Sequence, residues 1–316
     1  MEQVKQPADR AWSALLAASR VVRNGFDRGR AVSFAPDDAG GLREVPSTAS
    51  DAMLAWHPGA GWAAASASAD GADARFALYL PLCAAGPDRP LTLGHLGQSL
   101  DGFVATRTGD ARFVTGTQNI VHLHRLRALC DAVVVGAETV ARDDPQLTTR
   151  LVSGPNPLRV VLDPRRRLPA RHHVFADGAA ATLLVCESAR AQPGERFGGA
   201  EVAGAPSRDG RFDLHAVLAL LHRRGCQAVF VEGGGVTVSR FLEAGLLDRL
   251  HVAIAPLVIG RGRPGLQLPP VDRLKDGLRP AHRLFRMGED VLFDCDLRAG
   301  APTADSPSAA PLARIH

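Results

Sequence analysis

From Leu91 onward, short apolar runs alternate with stretches of helical periodicity, and this alternation restricts the chain to an α/β architecture with helices covering a sheet. The expected strands are 91–95, 132–136 (AVVVG), 158–163 (LRVVLD), 182–186, 228–232 (AVFVE), 251–259 and 290–297. Helices are expected at 117–130, at 213–224 with Asp213 as N-cap and Gly225 as stop, and at 236–244 ending before Gly245. No long helical pattern separates the last two strands. They are expected to pair antiparallel, which makes the sheet mixed.

Upstream the pattern is weaker. Residues 8–23 place Trp12, Leu15, Leu16, Ser19 and Val22 at the spacing of an amphipathic helix. Residues 35–75 are rich in Ala, Gly, Ser, Asp and Pro and read as loops or a loosely packed small domain, with a short strand at 76–80. AAGPDRP (84–90) reads as a linker, and the last residues, from 300 to 316, as a disordered tail. The expected divisions are an N-terminal extension (1–88), an α/β domain (89–299) and the tail (300–316).

At 46% hydrophobic and 22% charged residues each part can bury a core. No apolar run reaches the roughly 20 residues of a membrane span, and the first residues lack a secretory signal's build, so a cytoplasmic location is expected. Five widely spaced cysteines without a C-x-x-C indicate reduced thiols rather than a disulfide framework or zinc knuckle. Of 37 basic residues only Lys5 and Lys275 are lysines. Arginine cannot act as a Schiff-base amine, so lysine-dependent chemistry is disfavoured. The basic excess lies after residue 90 (net +5, against −1 before it) without a clustered basic and aromatic stripe. A local anionic ligand explains it better than nucleic acid.

Four segments carry candidate chemistry. In VFVEGGGVTVSRFLEAG (229–245) a buried strand runs through Gly233-Gly234-Gly235 into a helix, an arrangement that offers backbone N–H groups to a phosphate, with Thr237 adding a hydroxyl. It is not a G-x-G-x-x-G fingerprint, and a plain tight turn is the competing reading. In VVLDPRRRLP (160–169) Asp163 precedes Arg165, Arg166 and Arg167, either a solvated turn or a site for a 2′-phosphorylated adenosine. Asp143-Asp144 before Pro145 suits a turn more than a metal. SLDG (99–102) is by itself an ordinary turn. His122 and His124 do not face each other on a helix, His172-His173 reads as surface loop, and neither a metal site nor a hydrolytic triad is expected.

The order of the segments is more specific than any one of them: SLDG, a helix ending HRLRA, DAVVVGAETVARDDPQLT, PLRVVLDPRRRLP, FVEGGG and LHVAIAPLVIGRG. Over about 91–297 it resembles the reductase domain of the riboflavin-biosynthesis deaminase/reductase family, of dihydrofolate-reductase-like fold. The resemblance implies a mainly parallel mixed sheet, a homodimer, and NADPH-dependent reduction of the ribosyl group of a ribosylamino-pyrimidinone 5′-phosphate. It places Thr139, Asp143, Leu147 and Gly234, Gly235, Val236 and Thr237 at the cofactor, with Asp163 and Arg165 near its 2′-phosphate. It places Arg127, Arg150 and Glu232 at the substrate. Hydride transfer belongs to the cofactor, so no nucleophile need stand out.

Four positions depart from the family pattern, one of them Pro164, where Ser often follows the aspartate. Phe103 stands where a cation usually follows SLDG, and Ala111 and Phe113 stand where Ser and Trp are usual. These departures leave room for a related pyrimidine- or pterin-like acceptor, or for a nucleotide-binding relative without turnover. The zinc deaminase that accompanies the reductase in this family needs H-x-E and P-C-x-x-C. Residues 1–90 carry only His57 and Cys83, and deamination is not expected.

Overall fold

The computed structural model describes residues 9–298 except 38, 66–71 and 113, so Phe113 and the 300–316 tail lie outside the described residues. The chain divides into two compact units, Met1–Pro90 and Leu91–His316.

In the first unit, α1 (Arg10–Arg23) starts at Asp9, whose carboxylate accepts the Trp12 N–H at 3.1 Å. Strands β1 (Val32–Pro36), β2 (Leu42–Val45), β3 (Leu54–His57) and β4 (Gly61–Ala64) form an antiparallel sheet in the order β2-β1-β3-β4. Phe26, Phe34, Trp56 and Trp62 pack on one another there. Of the two readings of residues 35–75, loops or a small domain, the sheet realises the second; its individual strands escape the sequence pattern because four or five residues rich in Ala and Gly give little alternation. The strand expected at 76–80 is instead part of helix α2 (Ala72–Cys83). Phe76, Tyr79, Leu80 and Cys83 are all buried at i, i+3, i+4 and i+7, and so short an apolar run fits either period.

The second unit is built on β5 (Leu91–Ser99), β6 (Phe103–Thr106), α3 (Thr117–Leu129), β7 (Ala132–Gly136), α4 (Ala137–Asp143), β8 (Leu158–Leu162), α5 (His173–Ala176) and β9 (Thr182–Glu187). There follow β10 (Arg196–Phe197), β11 (Ala200–Ala205), β12 (Ser207–Arg208), β13 (Arg211–Phe212), α6 (Leu214–Arg223), β14 (Ala228–Val231) and α7 (Gly235–Glu243). The last elements are β15 (Arg249–Ala255), β16 (Gly262–Pro264), β17 (Ala281–Met287) and β18 (Asp290–Asp296). Ten strands form one sheet in the order β10-β11-β9-β8-β7-β14-β5-β15-β18-β17. From β11 to β15 every neighbour is parallel, while β15, β18 and β17 pair antiparallel. The expected mixed, mainly parallel sheet flanked by helices is therefore present. Its central strands β7 and β14 are apolar throughout because both faces are covered.

Asp213 caps α6 as expected, accepting the N–H groups of His215 and Ala216. The strand expected to reach residue 259 stops at Ala255, since Pro256 has no N–H to give a ladder. The carboxylate of Asp101 holds the next residues, taking the N–H groups of Ile259 (3.1 Å) and Gly260 (2.7 Å). SLDG is thus a clip between two loops.

Candidate active site

After β5 the chain skips a place in the sheet to lay down β7, β8 and β9, and only after β11 returns to put β14 between β7 and β5. The reversal of strand order opens a crevice at the carboxyl ends of these strands, where open α/β sheets bind ligands. A cavity of about 710 Å³ lies there, walled by the ends of β5, β7, β8 and β14 and by β6, α4, α7 and β16.

One wall is the glycine turn. Gly233 has φ +107°, left-handed backbone that suits glycine, and Gly234 precedes α7 with no side-chain cap. The Gly234 N–H donates to Thr139 Oγ1 at 3.3 Å. A Cβ on Gly235 would sit 1.9 Å from the Gly265 carbonyl oxygen, so only glycine lets α7 start this close to the residues after β16. The first N–H groups of α7 have no partner within the helix and carry its positive dipole end. Thr237 and Gly136 close the wall, with Thr237 Oγ1 2.7 Å from where a Gly136 Cβ would be. This cradle fits a phosphorylated nucleotide.

Glu232, at the end of β14, faces the cavity and is gripped from behind by Arg127: Nε to Oε2 is 2.9 Å and Nη2 to Oε1 is 2.5 Å. Arg127 also donates to the Thr148 carbonyl, so its fork is fully engaged. Arg150 lies behind this pair and outside the cavity wall; its backbone N–H donates to His124 Nδ1 at 3.1 Å. Burial, reinforced by Arg127 and Arg150, pushes the His124 imidazole down to about 4.

Beside Glu232 lies a group absent from the sequence reading. His95 lines the cavity and its Nε2 is 2.9 Å from Asn119 Oδ1. Behind it His122 Nε2 is 3.0 Å from His251 Nδ1, and His251 Nε2 is 3.2 Å from Asp294 Oδ1. Burial lowers all three imidazoles, His95 to about 4. Burial alone would raise Asp294, but hydrogen bonds from His251 and Arg249, with the charge of Arg249, hold it well below the usual carboxylate range. The column is one ion, Asp294, surrounded by neutral imidazoles and the guanidinium groups of Arg249 and Arg283.

The far rim carries the arginine turn. Arg165 and Arg167 line the cavity with Arg211, whereas Arg166 turns away to Glu195 at 2.6 Å. Asp163 is fully buried and accepts the Leu168 N–H at 2.9 Å; it shapes this turn from beneath. The structure thus gathers Thr139, Asp143, Glu232, Arg165, Gly234, Gly235, Val236 and Thr237 on one cavity. Leu147, buried at φ +53°, Asp163, Arg127 and Arg150 stand behind or beside the wall.

Asp143 and Asp144 separate in function. Asp143 faces the cavity, while Asp144 ends α4 in left-handed backbone and accepts from the His173 N–H at 2.9 Å. His172, expected at the surface, is buried against Asp144 where α5 begins; only His173 is exposed. All five cysteines are buried and none is in a disulfide, and the described residues contain no cluster of ligands able to hold a metal.

A family model described as the RibD C-terminal domain matches residues 93–286, which include every cavity residue named above. The chain belongs to the RibD C-terminal domain family. It is 37% identical over 217 residues to the 2,5-diamino-6-ribosylamino-4(3H)-pyrimidinone 5′-phosphate reductase of Methanothermobacter thermautotrophicus, covering 65% of this chain and 97% of that protein. Against the riboflavin biosynthesis protein RibD of Bacillus amyloliquefaciens it is 34% identical over 164 residues, covering 51% of this chain and 44% of that longer protein. A Thermotoga maritima deaminase/reductase structure aligns with TM-score 0.56 and 26% identity, over 71% of this chain and 60% of that one. The expected family is confirmed. Its RibD C-terminal match begins inside β5, so the unit Met1–Pro90 lies upstream of it.

Proposed function

We propose that the unit beginning at Leu91 is an NADPH-dependent reductase acting on a ribosylamino-pyrimidinone 5′-phosphate, converting its ribosyl to a ribityl group. The observation that carries this reading is a single cavity with an uncapped glycine turn on one wall and the Glu232–Arg127 pair on another. It is supported by the reductase names of the archaeal relatives, which match nearly end to end or over most of their length.

NADPH, when bound, supplies the hydride, and the protein's own residues align the two reactants. Gly234, Gly235, Val236 and Thr237 would hold its diphosphate, with Thr139 and Asp143 beside them. Arg165 would take the 2′-phosphate, joined by Arg167, while Asp163 and Leu147 shape the turns behind. Glu232, held in place by the Arg127 fork, would accept hydrogen bonds from ribosyl hydroxyls or the pyrimidine amino groups. Arg127 is already forked onto Glu232, so of the two substrate-side arginines Arg150 is the freer to meet the substrate phosphate. Leu96, Val104, Val114 and Leu162 give the cavity an apolar stretch of wall that would displace water from the bound reactants. The reading includes a homodimer located in the cytoplasm, with residues before Leu91 outside the chemistry; among the described residues no helix is long and apolar enough to cross a membrane.

The test is NADPH absorbance with the diamino and the deaminated forms of the ribosylamino-pyrimidinone phosphate. Oxidation with one form supports the reading. Measurable NADPH binding without oxidation by either form would overturn the substrate assignment and favour a different acceptor, consistent with Ala111 supplying no hydroxyl to the cavity wall.

A further inference from the structure

Arg263 is a charged cavity residue with no assigned role. It lies on β16, where Arg263 pairs with Ala105 of β6, and its side chain extends over Gly109, with Nη2 2.8 Å from where a Cβ of that residue would be. Gly109 has φ +101°, and a side chain there would displace the guanidinium. Among the described residues Arg263 makes no side-chain hydrogen bond or ion pair; the nearby carboxylate it influences is Asp143, across the cavity mouth. Arg142, by contrast, is engaged with Glu138, and Arg166 with Glu195. A half-buried arginine left unpaired beside a cavity is a cation awaiting an anion.

Its neighbours indicate which anion. Pro264 and Gly265 follow directly, and their carbonyl oxygens come within 2.7 and 1.9 Å of the point where a Gly235 Cβ would stand. β16 is therefore pressed against the start of α7, on the same side of the cavity as the first N–H groups of that helix, at Gly235 and Val236. The arginines of the far rim, Arg165, Arg167 and Arg211, belong to other elements, the turn after β8 and the hairpin of β12 and β13.

We infer that Arg263 clamps the diphosphate of the nicotinamide nucleotide against the N-terminus of α7, and so reads the part that NADPH and NADH share. The inference rests on the nucleotide site proposed above. It gives the two sets of arginines separate tasks: Arg263 supplies affinity for either dinucleotide, and the far rim supplies preference for the 2′-phosphorylated one.

The experiment is calorimetric binding of NADP⁺, NAD⁺ and 2′-AMP to the full chain and to R263A, R263K and the R165A/R167A pair, with thermal unfolding to verify folding. Arg263→Ala is expected to weaken NADP⁺ and NAD⁺ by a similar factor, about tenfold, the scale of one charge-assisted contact. Binding of 2′-AMP, which lacks a diphosphate, should be unchanged, and Arg263→Lys should recover part of the loss. R165A/R167A should weaken NADP⁺ and 2′-AMP but not NAD⁺. Unchanged NADP⁺ affinity in R263A, an equal loss for 2′-AMP, or an effect confined to the acceptor's KM would overturn the role of Arg263 while leaving the nucleotide site standing. Failure of the unsubstituted protein to bind NADP⁺ would remove both.

Discussion

Glu232 and Arg127 form a nearly buried pair, their side chains 12% and 7% exposed, and burial raises the cost of leaving either alone. Glu232→Gln keeps the shape and the acceptor oxygen but removes the charge. It is expected to lower kcat/KM by about a hundredfold, near 3 kcal/mol of transition-state binding, measured by steady-state NADPH oxidation. Glu232→Ala should also lower the denaturation midpoint, because it strands a buried guanidinium. The histidine column behaves differently. The His95 imidazole falls from 6.5 to about 4 on folding, so between those values the unfolded chain binds more protons. Stability is then complete above about pH 6.5 and lost as pH falls toward 4, by about 3 kcal/mol for His95 alone. Urea titrations at pH 7 and pH 5 check this, and His95→Gln should flatten the difference. Neither residue pattern was equally legible: FVEGGG announced itself because glycines and a carboxylate follow a strand, whereas His95, His122 and His251 come from three distant segments and meet only through sheet order.

At the scale of elements, long periodic segments were readable and short ones were not. The seven strands expected after Leu91 all exist, and α3, α6 and α7 lie within a residue or two of expectation. α4 was missed because seven residues make too little of a period, and β6 and β16 because each is fixed by its partner rather than by its own sequence. The arginine turn shows the limit most clearly. Three consecutive arginines look equivalent in sequence, yet Arg166 takes left-handed backbone (φ +53°) and turns to Glu195, leaving Arg165 and Arg167 on the cavity. The R165A/R167A pair is therefore expected to reduce the NADPH to NADH preference at least tenfold in kcat/KM, while Arg166→Ala leaves that ratio unchanged. Gly235→Ala tests the contact between α7 and β16. With 1.9 Å available, the variant should lose several degrees in unfolding midpoint and weaken cofactor binding together.

For the whole molecule, the RibD C-terminal match and the cavity both fall after Pro90. A chain beginning at Asp88 is expected to keep NADPH binding within about threefold of the full chain, by the same calorimetry, if the first unit stands outside the chemistry. The place of β14 has a consequence for how this molecule is made. Its neighbours β5 and β7 emerge from synthesis roughly 130 and 90 residues earlier, and the place between them is filled only when β14 arrives. The strand that fills that place carries Glu232 at its end and runs straight into the glycine turn. Completing the sheet and completing the site are then one event, and nucleotide added during refolding should trap the inserted strand and raise the yield of native protein.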